Sequence, residues 1–419
     1  MRTVTPALDP LVRRLFLGIA FSALGSGLTM PFLYVYLAEV RGISTATVGL
    51  LFAWMGLLGF VGSPLGGSLI DRFGPRPVMI TGLTAEALGV ASLAFVQNAW
   101  HAWVVASFVT LGTVGLYPAA TAMLTRLVPE GRREKVYGFQ FMLMNAGLGV
   151  GGVISGLLVH TSDPSSFQTL YLLDALSYIA YIVVVLSLPA GTGSLARGSA
   201  AERRTSQPGW GTVLRDRTLL RVVLPSVVVV TFGYAQFEAG FAAYTVGVAG
   251  VPANALGWAF GANTAAIVLA QLVALRFIEG RSRSRMLALC AITWSVSWAV
   301  IASSDAVDGG TAVALVIVGL GMFGLGETLW APVAPAIVNE LASEELRGRY
   351  NALQGMTWTV AMIIGPALAG LLIGNGLVHV WVACTVGGTA LASVLFLDLR
   401  RHLTPLQDGR RPGEVELAA

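Results

Sequence analysis

Residues Gly67 to Pro77 read GSLIDRFGPRP, a short charged stretch that separates two long apolar runs. The first run ends at Ile70 and the second begins at Val78. Gly67 allows two helices to pack closely, and Gly74 can adopt the positive φ that a tight turn requires. Proline at the last position suits the first turn of a helix. The stretch therefore predicts a tight, charged turn between two apolar helices.

The two apolar runs beside this turn belong to a longer series. The chain has 419 residues, of which 55% are hydrophobic and 11% are charged, and its mean hydropathy is +0.74. Soluble proteins carry about 25% charged residues, so the composition predicts an integral membrane protein. A helix needs roughly 20 apolar residues to cross ~30 Å of hydrocarbon. Runs of about this length, numbered here from span one to span twelve, are Leu15–Leu37, Val48–Ile70, Val78–Val96, Val104–Leu124, Phe139–Val159, Leu170–Leu188, Val222–Tyr244, Leu256–Phe277, Met286–Ile301, Val313–Val338, Leu353–Ile373 and Val380–Leu397.

The positive charges lie almost entirely on one side of these spans. If both termini are cytoplasmic, all but one of the 26 Lys and Arg residues fall in cytoplasmic segments, and only Arg41 lies outside. This asymmetry is the positive-inside pattern that sets membrane topology. The net charge of +4 then indicates topology and attraction to an anionic lipid bilayer, and no nucleic-acid partner is expected. We predict an all-α membrane protein with twelve transmembrane helices and cytoplasmic termini.

The longest polar interruption divides the chain into two sets of six spans. We predict an N-terminal six-helix bundle over residues 1–189, a cytoplasmic linker over 190–218, a C-terminal six-helix bundle over 219–398 and a cytoplasmic tail over 399–419. Within the linker, the segment GWGTVLRDR fits a short helix in the lipid headgroup region. An unstructured tether is the equally plausible alternative.

The two halves are similar to each other at a fixed offset of 214 residues. At this offset Pro118 aligns with Pro332, and Gln140 aligns with Gln354. A parallel repeat of six spans is typical of transporters, whose halves rock around a site near the midplane of the membrane. The repeat therefore favours a transporter of a small molecule over a channel or a receptor.

The turn between spans two and three closely resembles the signature loop of the major facilitator superfamily. The residues that carry the resemblance are Gly67, Asp71, Arg72, Gly74 and Arg76. The resemblance implies that Asp71 holds the two halves together on the cytoplasmic side by meeting the N-terminal end of span eleven at Arg347, with Arg133 as the equivalent residue of the first half. An anion at an exposed helix N-terminus is favourable by about 0.3 to 1 kcal/mol. The alternative is a polar turn that only fixes topology. The equivalent stretch after span eight, Phe277 to Arg285, has no aspartate at this position.

A second, weaker resemblance lies in span five, where residues 147–156 read GLGVGGVISG. This stretch resembles the antiporter motif of the drug-exporting branch of the superfamily, with glycine replacing proline at position 152, and span eleven matches the motif more closely. The small residues involved are Gly147, Gly151, Gly156, Gly365, Pro366 and Gly370. Small residues at four-residue spacing let helices pack closely in lipid, so span five is expected to meet span eight, and span eleven to meet span two. Such seams also occur in symporters, and span four lacks the arginine expected of a drug antiporter.

Four acidic residues fall inside spans, where a carboxyl group is costly and is a functional hypothesis by default. The resemblance implies that spans one, four, seven and ten surround the cavity, which favours Glu238 and Glu327 as proton-coupling residues. Glu86 in span three is a third candidate for proton coupling, or else a buried structural acid. Asp174 lies about one turn from the outer end of span six and is expected to reach water. For Glu327 the competing interpretation is a permanently protonated acid that is bonded to a neighbour.

Polar and aromatic side chains in the spans are candidates for lining a substrate cavity. The walls would be mostly apolar, and the lack of Lys and Arg in mid-span indicates a lipophilic or amphipathic substrate. Plain interhelical packing is the alternative for the serines and threonines. The candidate cavity residues are Ser26, Thr29, Tyr36, Asn145, Tyr234, Gln236, Trp330, Gln354 and Trp358.

Other functional classes lack the residues that they need. An ATP-driven pump would need a glycine-rich phosphate loop that includes a lysine, but the only lysine is Lys135, in RREKVYG. The histidines lie at or beyond the ends of the spans, so no metal site, cofactor or enzyme activity is expected. We predict proton-coupled export of drugs or other lipophilic molecules by a monomer in a bacterial inner membrane. The alternatives are export of an endogenous metabolite and proton-coupled uptake of a small organic solute.

Overall fold

The computed structural model of the chain describes residues 9–128, 133–189, 210–343 and 346–410. All regular secondary structure in these ranges is helical. Each predicted apolar run coincides with a helix, so the span numbers apply to the observed helices as well.

The N-terminal half consists of long helices joined by short turns. Asp9, Ser44, Asn98 and Asp163 each accept a backbone N–H at the start of a helix, which compensates an unpaired donor there. Span one continues beyond its α-helix through a 3-10 turn and a π turn to Val40. The helices of spans one to six run Pro10–Thr29, Thr45–Phe73, Pro75–Leu93, Ala99–Leu127, Arg133–Leu158 and Pro164–Leu186.

The C-terminal half repeats this organisation after a short linker helix, Trp210–Arg215. Span seven differs from its counterpart because its α-helix stops before Gly233 and resumes only at Gly240, with a 3-10 turn between them. The two parts of span seven are Arg217–Phe232 and Gly240–Gly247, and spans eight to twelve are Asn254–Ile278, Arg283–Ala302, Gly309–Leu341, Arg347–Gly374 and Val378–Leu399.

Within the described ranges, ten helices are long and apolar enough to cross a membrane. The helices of spans three and five are not among the ten; span three carries several polar side chains, and span five lies within the 26-residue helix Arg133–Leu158. Both pack among the other helices of their half. The protein is therefore a multi-pass membrane protein with ten to twelve spanning helices.

The packing of the helices repeats between the two halves. In the N-terminal half, span one packs against spans five and six, span four against spans two and three, and span three against span six. Adding six to each number gives the contacts of the C-terminal half: seven against eleven and twelve, ten against eight and nine, and nine against twelve. The 214-residue similarity in sequence is therefore matched by a repeated three-dimensional arrangement.

The two halves meet along two long seams, between spans five and eight and between spans two and eleven. A Cβ on Gly257 of span eight would lie 2.7 Å from the Cα of Gly156, and a Cβ on Gly370 of span eleven would lie 2.7 Å from the Cα of Gly49. The pairing of spans agrees with the prediction from the glycine motifs. Each seam brings two glycine backbones together where no side chain would fit.

The other small residues of span five have a different partner from the one that the motif suggested. A Cβ on Gly147 would lie 2.6 Å from the Cβ of Ala23 in span one, and Gly151 also faces span one. In span eleven, a Cβ on Gly365 would lie 2.5 Å from the Cβ of Ala235 in span seven. Gly147, Gly151 and Gly365 therefore allow close packing inside each half. Gly156 and Gly370 allow close packing between the halves.

The halves also touch at their ends on the side opposite the termini. There the outer part of span one, Leu33–Val35, contacts the second part of span seven, Gly240–Gly247. A Cβ on Gly247 would lie 3.5 Å from the Glu39 side chain.

The chain after span twelve folds back onto the turn between spans eight and nine. Asp408 is 0% exposed and accepts hydrogen bonds from the Ser282 hydroxyl at 2.7 Å and from the Ser284 backbone N–H at 2.9 Å. Arg410 forms an ion pair with the same carboxylate at 3.0 Å. This turn is the one whose sequence motif lacks an aspartate. Asp408, in the segment after span twelve, supplies a carboxylate to it instead.

Candidate functional site

A cavity of about 270 Å³ lies between the two halves. Span five contributes Asn145 from the N-terminal half, and spans seven to eleven line the rest. Of the residues expected from the sequence, those in this cavity are Glu327, Asn145, Tyr234, Trp330, Gln354 and Trp358. Sequence positions more than 200 residues apart therefore meet at the interface of the repeats, where transporters of this architecture bind their substrates.

Glu327 has a specific partner in the neighbouring helix. The Asn263 side chain in span eight donates its Nδ2 to Glu327 Oε1 at 2.8 Å. The same amide lies 3.3 Å from the backbone carbonyl of Leu320. Spans eight and ten approach closely here, since a Cβ on Gly324 would lie 2.6 Å from the Asn263 carbonyl oxygen. The carboxyl group is thus compensated by an amide rather than by a cation.

Aromatic rings form much of the cavity wall. Tyr234 and Trp358 meet edge to face with ring centroids 4.7 Å apart. Trp294, which the sequence interpretation missed, stacks on Phe323 at 4.3 Å and lies 6.0 Å from Trp330. Aromatic pairs in this geometry contribute about 0.5–1.5 kcal/mol beyond their buried area. The wall is therefore largely aromatic and apolar, and the Glu327 carboxyl group is one of its few polar features.

Gln354 provides an unused amide beside this wall. It is 7% exposed, and among the described residues neither its Oε1 nor its Nε2 has a hydrogen-bond partner. Gln271 of span eight, which was also missed, brings a second amide to the cavity. A buried amide without partners costs about 1–3 kcal/mol, so a ligand or water that satisfies it gains binding energy.

Four of the expected cavity residues lie elsewhere, and two of them, Gln236 and Tyr36, line neither of the two cavities. The Gln236 amide donates to the Thr231 carbonyl at 2.8 Å and accepts from Trp381 Nε1 at 2.7 Å. The Tyr36 hydroxyl donates to the Leu93 carbonyl at 3.0 Å and accepts from Arg41 at 2.8 Å. Both side chains are fully buried, and their bonds tie helices together within one half. Neither lines the cavity between the halves.

Ser26, Thr29 and Glu86 surround a different and larger cavity of about 680 Å³ inside the N-terminal half. Thr113 donates its hydroxyl to Glu86 Oε1. Asp174 also lines this cavity, and it accepts a hydrogen bond from the Thr29 hydroxyl at 2.7 Å. The expectation that Asp174 reaches water is wrong, because its side chain is 1% exposed and points from span six toward span one.

Glu238 lies outside both cavities. It is half-buried in the interruption of span seven, between the 3-10 turn Tyr234–Phe237 and the helix that begins at Gly240. The two intramembrane acids of the C-terminal half therefore have unlike surroundings.

The signature turn has the conformation that its glycine suggested. Gly74 has φ +85° and ends span two, and Pro75 begins span three. Arg76 donates to the backbone carbonyls of Leu186 at 3.0 Å and Pro189 at 2.9 Å, at the C-terminal end of span six. A cation at a helix C-terminus is favourable, so Arg76 stabilises the packing of spans three and six.

For the remaining residues of this motif, the structure describes only their positions along the helices. Asp71 lies in the last turn of span two, Arg133 begins span five, and Arg347 begins span eleven. Their side chains lie outside the described part of the structure. The Arg72 guanidinium stacks over the Phe73 ring, 5.2 Å from its centroid. In the described ranges, no three His, Cys, Asp or Glu side chains cluster as metal ligands would.

Two repeated helix bundles with a cavity at their interface define a membrane transporter. The family model of the Major Facilitator Superfamily matches residues 15–256 and 243–419, and the chain belongs to this family. It is a family of transporters and not of enzymes.

The curated relatives are distant but match almost the full length. An uncharacterized MFS-type transporter, YqjV of Bacillus subtilis (strain 168), is 25% identical over 98% of both chains. The quinolone resistance protein NorA of Staphylococcus aureus is 23% identical over 94% of this chain and 97% of its own.

Solved structures of other transporters share the fold. The nucleoside transporter NupG superposes with a TM-score of 0.71 at 13% identity, over 94% of this chain and 99% of its own. The peptide transporter POT in complex with sulfate gives a TM-score of 0.75 at 16% identity, over 95% of each chain.

Proposed function

We propose that the protein is a proton-coupled exporter of drugs or other lipophilic or amphipathic small molecules. The observation that carries the proposal is the cavity between the halves, which combines an aromatic wall with the carboxyl group of Glu327. A mostly apolar wall with a few placed polar groups suits a ligand of this kind. A carboxyl group in such a wall can bind a proton from one side of the membrane and release it to the other.

In this mechanism the halves rock against each other along the two seams. The glycine contacts at Gly156 and Gly370 leave no side chains to interlock, so the helices can tilt without breaking a packed layer. The substrate packs against the rings of Tyr234 and Trp358 and hydrogen-bonds to the Gln354 amide. Asn263 stabilises the charged form of Glu327 by hydrogen bonding. When the cavity faces the acidic side, the Glu327 carboxylate binds a proton and its charge is neutralised.

Likeness to a quinolone resistance protein supports export of lipophilic compounds in preference to the two alternatives, which remain export of an endogenous metabolite and uptake by symport. The nucleoside and peptide transporters among the solved structures carry no weight for the substrate at 13% and 16% identity. We also propose that the protein is a monomer in a bacterial inner membrane. Both termini are then in the cytoplasm, because this orientation leaves only Arg41 among the Lys and Arg residues outside.

The test is transport in proteoliposomes that contain the purified protein. A pH gradient is imposed, and the movement of a panel of quinolones, lipophilic dyes and polar solutes is followed. We expect quinolones or dyes to accumulate on the acidic side, with proton movement in the opposite direction and no response to ATP. Accumulation of the polar solutes alone, or movement of the substrate together with protons, would contradict the proposal. Empty liposomes are the control for passive partition.

A further inference from the structure

The cavity inside the N-terminal half is large enough for a ligand of its own. Its volume of about 680 Å³ falls in the range of about 300–1,000 Å³ that is typical of small-molecule sites. All six N-terminal spans line it, and Glu327 does not. The two cavities share no lining residue, and the adjacent residues Met144 and Asn145 of span five line one each. The two cavities are therefore distinct places in the fold.

Two carboxyl groups lie at this cavity, and hydroxyl groups are their hydrogen-bond donors. Glu86 of span three is 3% exposed and accepts from Thr113. Asp174 of span six accepts from Thr29 at 2.7 Å and from the Ser177 hydroxyl at 3.3 Å. Lys, Arg and His are absent from the residues that the structure places around the cavity. Two buried acids therefore face a space in which no side chain supplies a positive charge.

Tyrosines from span six complete the wall beside these acids. The hydroxyl groups of Tyr171 and Tyr181 are buried and have no hydrogen-bond partner among the described residues. The Tyr178 hydroxyl lies 3.3 Å from the Ser26 hydroxyl. Tyrosine rings attract cations through their faces, and the unpaired hydroxyls can accept or donate a hydrogen bond. Buried polar groups of this kind normally have partners, and a bound ligand would supply them.

We propose that this cavity is a second binding site, which takes a monovalent lipophilic organic cation held by Asp174 and Glu86. One positive charge together with one proton neutralises the two acids. A bare metal ion fits poorly, because Ca²⁺ needs six to eight oxygen ligands at close range and most of this wall is apolar. The proposal extends the proposed function, because the cation would be a transported or modulating compound. Its test requires binding only.

The test is equilibrium binding of tetraphenylphosphonium to the purified protein in detergent. Neutral triphenylphosphine oxide serves as the uncharged probe of similar shape. We expect Asp174→Asn and Glu86→Gln each to weaken tetraphenylphosphonium binding by about tenfold or more and to leave the neutral probe unaffected. Asp398→Asn, whose carboxylate is 53% exposed and lines neither cavity, should leave the affinity for tetraphenylphosphonium unchanged.

A steric variant tests the place of binding without touching an acid. Gly59 lines the cavity, and a Cβ there would meet only the Thr110 methyl group, at 4.0 Å. Gly59→Met should therefore fill part of the cavity and weaken the binding of both probes by about tenfold. The matched control is Gly387→Met in span twelve, where a Cβ meets nothing within 4 Å; it should bind both probes as the wild type does.

Three results would overturn the proposal. The first is the absence of tetraphenylphosphonium binding by the wild-type protein. The second is wild-type affinity in both amide variants and in Gly59→Met, with normal thermal unfolding. The third is loss of binding in Glu327→Gln alone, which would place the cation between the halves. None of these binding measurements depends on a proton gradient. A failure of gradient-driven export would therefore leave the second binding site standing, and a failure of tetraphenylphosphonium binding would leave the proposed export function standing.

Discussion

Asn263 of span eight donates its side-chain amide to Glu327 of span ten across 2.8 Å, and this bond compensates the carboxyl group at the interface of the halves. Both residues belong to the C-terminal half, so the proposed rocking of the halves would leave this bond intact. The N-terminal half places its acids differently, on spans three and six, where Thr113 and Thr29 are the donors. The repeat therefore preserves the helix packing and not the position of the acids.

Replacing Glu327 tests its role in coupling. Glu327→Gln keeps the shape of the side chain and its acceptor oxygen for Asn263 and removes only the titratable proton. We expect proton-driven accumulation of substrate to be abolished while substrate exchange without a gradient persists. The measurement is flux in proteoliposomes under an imposed pH gradient, with exchange at zero gradient as the control.

Glu238→Gln is the matched comparison, because Glu238 lies outside the cavity and should be easier to replace. We expect a smaller loss of driven transport than in Glu327→Gln. If Glu327→Gln accumulates substrate against its gradient as well as the wild type does, Glu327 is a structural acid. Coupling would then have to involve Glu238 or Glu86.

A double-mutant cycle tests the bond between Asn263 and Glu327. Asn263→Leu removes the amide donor at similar volume and should lower the free energy of unfolding by about 1.5–3 kcal/mol, the worth of a hydrogen bond to a charged group. In the Glu327→Gln background the same substitution should cost less stability, because the two residues act together. Equal losses in both backgrounds would indicate that Asn263 acts independently of Glu327.

The signature turn provides a third prediction. Asp71→Asn should impair transport and leave the protein folded and inserted, because the resemblance of the motif implies that the Asp71 charge links the halves. Arg347→Ala should shift the balance between the inward-facing and outward-facing states in the same direction. The measurement combines flux with the accessibility of introduced cysteines on each side. Wild-type transport by Asp71→Asn at equal expression, or opposite accessibility shifts, would argue against this link.

The seam between spans two and eleven predicts a steric effect. A Cβ on Gly370 would lie 2.7 Å from the Gly49 Cα and 2.9 Å from the Thr45 carbonyl oxygen. Gly370→Val should force the helices apart, destabilise the protein by about 1–3 kcal/mol and reduce transport. Gly387→Val, at an exposed position with nothing near its Cβ, is the control for the β-branched side chain itself. Normal unfolding and transport by Gly370→Val would show that the seam is looser than the structure indicates.

The returning chain terminus predicts a local effect on stability. Asp408→Ala leaves the Ser282 and Ser284 donors without their buried acceptor, so thermal unfolding should begin at a lower temperature, at a cost of about 1–3 kcal/mol. Asp398→Ala is the control, because that carboxylate is 53% exposed and lies 3.6 Å from the Arg401 guanidinium and 3.8 Å from His402 Nδ1, and exposed pairs contribute about 0–1 kcal/mol. Equal midpoints for the two variants would show that the terminus contributes nothing to the stability of this turn.

Much of the fold could be predicted because its signals are local. The length of an apolar run decides whether a helix can cross a membrane, and the 214-residue similarity between the halves reports the repeat. The positive φ of Gly74 was expected from the chemistry of glycine, and Pro77 lies in the first turn of span three as expected, although the helix begins two residues earlier, at Pro75. The contacts of span five with span eight and of span two with span eleven were also expected, because close packing in lipid needs small residues.

Several site residues could be predicted in part. Residues of spans seven, ten and eleven that were expected to line a cavity or to couple protons, such as Tyr234, Glu327 and Gln354, do come together in one cavity. A sequence indicates the depth of a residue in the membrane and its position around its own helix. It does not indicate the rotation of that helix against its neighbours.

Only the tertiary structure decided which residues contact the buried polar side chains. Tyr234 lines the cavity, but Gln236, two residues later, faces away and bonds to Thr231 and Trp381, although span seven is interrupted there. Asp174 is buried because its face of span six meets span one, although its depth alone suggested water. Asn263 and Asp408 found their partners at 64 and 124 residues' separation or more. Such contacts depend on how all the helices pack at once, and no single stretch of the sequence encodes that packing.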